Sequence, residues 1–165
     1  YNRIWDKPCF LNSIHRTKFL DNSFDAVYIC GGLHHVLPLL KETILEIHRI
    51  LKPGGFFYFM EPNKDTWINY LRKIWYKLDN KFTEDEEAIS YHNTLKPLLS
   101  IGFQEQSLNF GGNIAYIIIG QSLVLRIPQR LKKYLAPISF FLERIFSKLP
   151  FVPKLFFSAA WKKNI

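Results

Sequence analysis

Residues 24–62 read FDAVYICGGLHHVLPLLKETILEIHRILKPGGFFYFMEP, and this stretch restricts the fold more than any other in the chain. Ala26 to Cys30 is a short apolar run that ends at Gly31-Gly32. So short a run, with glycines behind it, suits a buried strand better than a helix. Leu40, Ile44, Ile47 and Leu51 recur at helical spacing and form one apolar stripe, with Glu42, Glu46 and Arg49 on the other faces. Pro53-Gly54-Gly55 is expected to stop that helix, because proline lacks a donor and glycine accepts a left-handed cap. Phe56 to Met60 is apolar on both faces, which predicts a central parallel strand covered by helices. Strand, crossover helix and parallel strand make a right-handed βαβ unit, and the chain is therefore expected to be α/β.

The motifs FDAVYICGGLHHV and LKPGGFFYFMEP, at this spacing, resemble the second half of a class I S-adenosylmethionine-dependent methyltransferase. Asp21 to Asp25 resembles the same family's approach to its fourth strand. The resemblance runs from about Phe10 to about Asn109, and more loosely to the end of the chain. It implies a partial Rossmann-like three-layer sandwich, with strands 3 to 7 of a sheet ordered 3-2-1-4-5-7-6. It also implies S-adenosylmethionine as cofactor and methyl transfer to a small-molecule or lipid-like acceptor. In the family, a strand near the start of this region ends in Gly-Asp-Ala, whose carboxylate contacts the adenine. Here Asn12-Ser13-Ile14 stand at those positions. The Ser13 side chain and the Ile14 backbone remain able to hydrogen-bond, but the charge is gone. The family's glycine-rich turn has no counterpart before Asp21. The expectation is therefore a truncated chain, inactive alone, that holds the rear half of a cofactor site.

Six residues carry the rest of the site reading. Cys30, Gly31 and Gly32 are candidates for cofactor contact through the backbone, because small residues admit close approach. The competing reading is a tight strand-to-helix turn. His34 and His35 follow, just past the carboxyl end of the strand, where ligands bind in open α/β sheets. Imidazole is matched to proton transfer near neutral pH, so these are the catalytic candidates. Methyl transfer needs alignment above all, so the chemistry demands no base. The competing reading has one His capping the helix and the other packing on the loop. Glu61 is read either as facing a substrate or as a free surface carboxylate. Gly54-Gly55 is not read as a phosphate loop, since no Lys-Ser/Thr follows.

Composition bounds the remainder. The chain has 165 residues, 48% hydrophobic and 22% charged, which fits one folded domain. Cys9 and Cys30 make no disulfide framework, so a reducing cytoplasm is the expected location. The net charge of +8 is uneven: residues 1–120 balance 13 Lys+Arg against 13 Asp+Glu, whereas residues 121–165 hold 9 Lys+Arg against Glu143 alone. A division follows: a partial methyltransferase core over 1–120, then a basic helical lid or membrane-facing insertion plus a final strand over 121–165. For that tail three readings stay open: a packed lid, peripheral membrane contact through Arg130, Lys132, Lys133, Arg144 and Lys148, and nucleic-acid binding, the least supported because no recognised module accompanies the charge. A non-catalytic chain that binds a membrane or a partner is the alternative to the enzyme. Within the core, helices are expected over 66–79, from Thr83 and over 93–101. Strands are expected at Cys9–Leu11 and Phe103–Asn109. Helices over 125–135 and 138–149 are expected to be set off by Pro128, Pro137 and Pro150. Phe156–Trp161 is expected as strand 7, antiparallel between strands 5 and 6. The carboxylates of Glu84, Asp85, Glu86 and Glu87 suit a solvated helix start better than metal ligands, and no metal site is assigned.

Overall fold

The computed structural model describes residues 12–78, 87–120 and 125–165. The expected strand at Cys9–Leu11 and the helix start at 83–86 lie outside the described residues. Four strands form one sheet in the order β1-β2-β4-β3. They are β1 (Phe24–Cys30), β2 (Leu51–Pro62), β3 (Phe103–Gly111) and β4 (Phe156–Lys163). β1 and β2 pair in parallel, with Val27 opposite Phe57 and Cys30 opposite Met60. Helix α1 (Leu40–Ile50) makes the crossover. β4 runs antiparallel to both β2 and β3 and lies between them, as the family resemblance implies for the last strand.

Why α1 ends where it does differs from the expectation. The helix stops at Ile50, and Leu51 is already extended (φ −73°, ψ 138°). Pro53-Gly54-Gly55 lies within β2 instead of capping the helix. The step from Phe24 to Ala26 on β1 is matched by the longer step from Leu51 to Phe56, so Lys52–Gly55 bulges from the ladder. Gly54 needs its glycine there, with φ +76°. A Cβ at Gly55 would stand 2.9 Å from the Lys52 carbonyl oxygen and 3.0 Å from that of Asp25. The helix end is capped from far along the chain. Lys163 Nζ donates to the carbonyls of His48 (2.8 Å) and Leu51 (2.7 Å), the favoured place for a cation at a helix C-terminus.

The core lies on one face of the sheet. Phe57, Phe59, Phe157 and Trp161 pack there against Leu33, Ile44, Ile47 and Tyr91. Each such side chain fully buried contributes about 1.5–3 kcal/mol. The Trp161 indole N–H donates to the Tyr91 hydroxyl at 3.0 Å, and that hydroxyl donates to Glu105. Burial, then the Glu105 bond, holds the Tyr91 phenol well above its usual pKa. The opposite face departs from the expectation of a strand covered on both sides. Tyr28 is 67% exposed and Tyr58, paired with it, is 40% exposed. Cys30, expected to be buried, is exposed on that same side.

The remaining elements are shorter or longer than predicted. α2 spans Asn69–Leu78, starting after a turn in which the Asn69 N–H donates to the Thr66 carbonyl. The helix expected at 93–101 is a π turn (Tyr91–Leu95) followed by a 3-10 turn (Lys96–Ile101), closed at Gly102. Residues 125–149 hold one helix, α3 (Gln129–Phe146), that runs through Pro137 rather than breaking there. Lys132, expected on its basic outer face, is buried.

Candidate functional site

The site is built at the carboxyl ends of β1 and β2. There the chain leaves β1 through Gly31 (φ +61°) and Gly32 into a 3-10 turn, Leu33–Leu39. The turn is pinned to the neighbouring strand. Gly31 N–H donates to the Met60 carbonyl at 2.8 Å. Glu61, the next residue of β2, is 1% exposed. Its Oε1 accepts from the backbone N–H groups of Gly32 (2.9 Å) and Leu33 (2.8 Å). Its Oε2 lies 2.7 Å from His34 Nδ1. Sequence reasoning read Glu61 as a substrate-facing or free carboxylate. It is neither: it is the buried brace of the turn. Its partners lie 27 to 29 residues upstream, so no local pattern announces them. The one available signal is a carboxylate in the inward register of a strand whose neighbours Phe57 and Phe59 are core.

This geometry fixes the imidazole. A carboxylate accepts at both oxygens, so Nδ1 is the donor, and in the neutral ring Nε2 carries the free lone pair. The His34 side chain keeps 13% exposure. His35 is exposed and tilts against His34 with ring centroids 3.9 Å apart. Of the two catalytic candidates, His34 is therefore the oriented one.

The backbone donors of the turn are spent inside the protein. Those of Gly31, Gly32 and Leu33 are bonded as above, and His35 N–H donates to the Gly32 carbonyl at 3.3 Å. Cys30, Gly31 and Gly32 can therefore offer an incoming group acceptor oxygens, and Gly31-Gly32 a surface free of Cβ atoms, while the N–H groups of both glycines are already bonded. Such a surface suits a cationic group, and S-adenosylmethionine carries an ammonium and a sulfonium. Gly32 has no room for a larger residue, since a Cβ there would stand 2.9 Å from Ile29 Cγ2. Ser13 and Ile14 are placed differently. Ser13 pairs with Arg16 across a tight turn, and its hydroxyl lies 3.0 Å from His15 Nδ1. Among the described residues no hydrogen bond joins Ser13 or Ile14 to the Cys30–Gly32 turn.

A cleft opens just beyond, where Asn63, Trp67, His92, Phe110 and Phe151 meet past the end of β2. Asn63 Nδ2 donates to the Lys154 carbonyl (2.9 Å) and Trp67 Nε1 to that of Phe151 (3.1 Å), which ties the two walls together.

Residues 3–59 match a family model described as a methyltransferase domain. Solved structures with the same architecture include a SAM-dependent methyltransferase of Methanosarcina mazei (TM-score 0.54, 18% identity, covering 93% of this chain and 66% of that one). Another is a putative sarcosine dimethylglycine methyltransferase of Galdieria sulphuraria (TM-score 0.58, 13% identity, 93% and 57%). The chain has a class I methyltransferase fold. S-adenosylmethionine is the cofactor of that fold's methyltransferases, and the Cys30–Gly32 turn fits it as described. Among sequence relatives, the demethylmenaquinone methyltransferase of Staphylococcus epidermidis is 31% identical over 121 residues, 62% of this chain and 50% of that protein. The sterol 24-C-methyltransferase of Gibberella zeae is 56% identical over 39 residues, 24% of this chain and 10% of that protein. The methyltransferase-fold chain thus spans half or less of the length of these relatives.

Proposed function

We propose that this methyltransferase-fold chain takes part in methyl transfer from S-adenosylmethionine to a lipid-like acceptor. The observation that carries the reading is the braced turn: a buried carboxylate on one parallel strand holds both the glycine turn and the histidine at the end of its neighbour. The names of the relatives, one acting on demethylmenaquinone and another on a sterol, support a lipid-like acceptor. When bound, S-adenosylmethionine supplies an electrophilic methyl on a sulfonium. Cys30–Gly32 lends acceptor oxygens and close approach to the cationic end of that group. His34 Nε2 takes the proton that the acceptor loses as its new bond to the methyl carbon forms. The bound group would supply the leaving thioether, which would keep the electron pair of the bond to the methyl. Glu61 receives no proton; it holds the imidazole in the tautomer that can accept one.

The test is transfer of tritium from methyl-labelled S-adenosylmethionine into organic-soluble product by the polypeptide as the cell makes it, given membrane lipid extract. His34→Ala is expected to lower turnover by about 10² or more, the usual worth of a positioned base. His35→Ala is expected to cost less, since that ring is exposed and holds no partner on β2. Full turnover in His34→Ala would remove the base from the reading. Label confined to water-soluble products would remove the lipid-like acceptor.

A further inference from the structure

Helix α3 wears its polar side inward. Lys132, Ala136, Ser139 and Glu143 recur at helical spacing and form the side that meets the body of the protein. Lys132 is 4% exposed, and its Nζ donates to the Ile119 carbonyl at 2.7 Å. Glu143 Oε2 accepts from the backbone N–H groups of Asn113 (3.3 Å) and Tyr116 (3.0 Å). The opposite stripe is apolar and bare: Tyr134 is 71% exposed, Ile138 58%, Phe141 62% and Ile145 46%. At roughly 100° per residue, Arg130, Lys133 and Arg144 lie on one flank between the two stripes, and Leu131, Leu135 and Leu142 on the other. A helix facing water has the reverse arrangement, with its apolar side on the core.

The charge says what covers that stripe. Residues 121–165 hold 9 Lys+Arg and one acidic residue, Glu143, whose carboxylate is turned inward onto Asn113 and Tyr116. The outward surface of α3 therefore presents rings and cations without an anion among them. A second copy of this chain would set cations against cations. An anionic bilayer surface meets both needs, with acyl chains for the apolar stripe and headgroup charge for the flanking basic residues. No helix among the described residues is long and apolar enough to cross a membrane, which suits a helix lying in the plane.

We infer that α3 docks in the headgroup layer of an anionic membrane, its Tyr134–Ile138–Phe141–Ile145 stripe directed into the lipid. A few residues past α3 the chain forms one wall of the cleft at the end of β2. Past α3, Phe151 is 69% exposed, and its carbonyl holds the indole of Trp67, itself 67% exposed. Docking thus sets the cleft against the bilayer, so that an acceptor dissolved in lipid reaches the strand ends without crossing water. That last step rests on the proposed lipid-like acceptor, whereas the docking does not.

The experiment is flotation of the purified chain with phosphatidylcholine vesicles carrying 30% phosphatidylglycerol, without cofactor or acceptor, so that it reads docking apart from catalysis. The chain is expected to float with these vesicles, to float at least ten times less with phosphatidylcholine alone, and to be released by 0.5 M salt. The variant I138E/F141E is expected to lose flotation by tenfold or more. Both side chains are exposed, so its thermal melt is expected to match the parent. A second variant, K133E/R144E, is expected to lose the preference for anionic vesicles. Failure of the parent chain to float would overturn the inference. So would equal flotation of I138E/F141E. A sedimenting dimer that I138E/F141E dissolves, without flotation, would assign the stripe to a second copy and overturn it as well.

Discussion

Glu61 is the residue on which the site turns, and its three bonds make separable predictions. Glu61→Gln keeps an oxygen for the N–H groups of Gly32 and Leu33 but aims an amide donor at His34 Nδ1. The imidazole then has to give up its Nδ1 proton and carry it on Nε2. Nitrogen-15 NMR of the histidine ring is expected to report that exchange of tautomers, with turnover falling by roughly tenfold to a hundredfold in a protein that melts close to the parent. An unchanged tautomer would mean that Glu61 does not orient His34. Glu61→Ala leaves two buried N–H groups without partners, and each costs about 1–3 kcal/mol. Its melting temperature is therefore expected to fall by several degrees whether or not the protein is an enzyme. The contrast between the two variants separates positioning from plain structural support. His34 could be read from the sequence because the strand-glycine-turn order puts it past the strand end. Glu61 could not, because what makes it matter is a pairing register set by folding.

The sheet strands and α1 were readable wherever a local pattern and its boundary residues agreed. β1, α1, the second half of β2 and β3 fall where apolar spacing and flanking glycines put them, and β4 falls where the family resemblance put the last strand. The misreadings have tertiary causes. Pro53-Gly54-Gly55 can end a helix or make a bulge, and the choice is made by Lys163 capping α1 from the last strand. Pro137 is tolerated inside α3 because the carbonyl it leaves unpaired, that of Lys133, sits on an exposed part of the helix where water can satisfy it. Another long-range tie anchors α1 to the segment before β1. Glu46 accepts from Arg49 (2.6 Å) and from the Thr17 backbone N–H (2.8 Å). The Arg49 bond, opposed in part by burial and helped by Thr17, lowers the Glu46 carboxyl from its ordinary 4.5 to about 2. A carboxyl whose folded pKa is depressed stabilises the fold above its unfolded pKa and loses that contribution as pH falls toward the folded one. The tie is therefore expected to contribute in full above about pH 5 and to fade between about pH 4.5 and 2. It amounts to about 1–2 kcal/mol once the partial exposure of Arg49 is discounted. Urea midpoints at pH 7 and pH 2.5 are expected to differ less in Glu46→Gln than in the parent. Parallel acid losses in the two proteins would contradict the role given to this tie.

At the scale of the whole molecule, one sheet face is packed and the other is open. β2 and β4 each have two neighbours, whereas β1, which carries the candidate site, has only β2 among the described strands. Parallel pairing uses alternate amides of a strand. Gly31 N–H points at Met60, so by alternation Ile29 and Val27 donate to β2 while Tyr28 and Cys30 aim their N–H groups at the free edge. An edge of this kind is a template for another strand. The family resemblance implies it, since a sheet ordered 3-2-1-4-5-7-6 without strands 1 and 2 leaves strand 4 bare on one side, whereas the residue pattern alone reads β1 as buried because its residues are apolar. Apolar composition reports what a strand can bury, not whether anything lies against it. The Tyr28 side chain on the open face and the Tyr28 amide at the open edge describe the same situation from two directions. Hydrogen exchange gives a direct measure. In the chain alone, the amides of Tyr28 and Cys30 are expected to exchange on the order of 10² times faster than those of Ile29 and Gly31, while the central β2 amides exchange slowest. Equal protection along all of β1 would mean that its outer edge is paired, by the chain itself or by a second copy, and dilution would then tell those two apart, since only a second copy leaves as concentration falls.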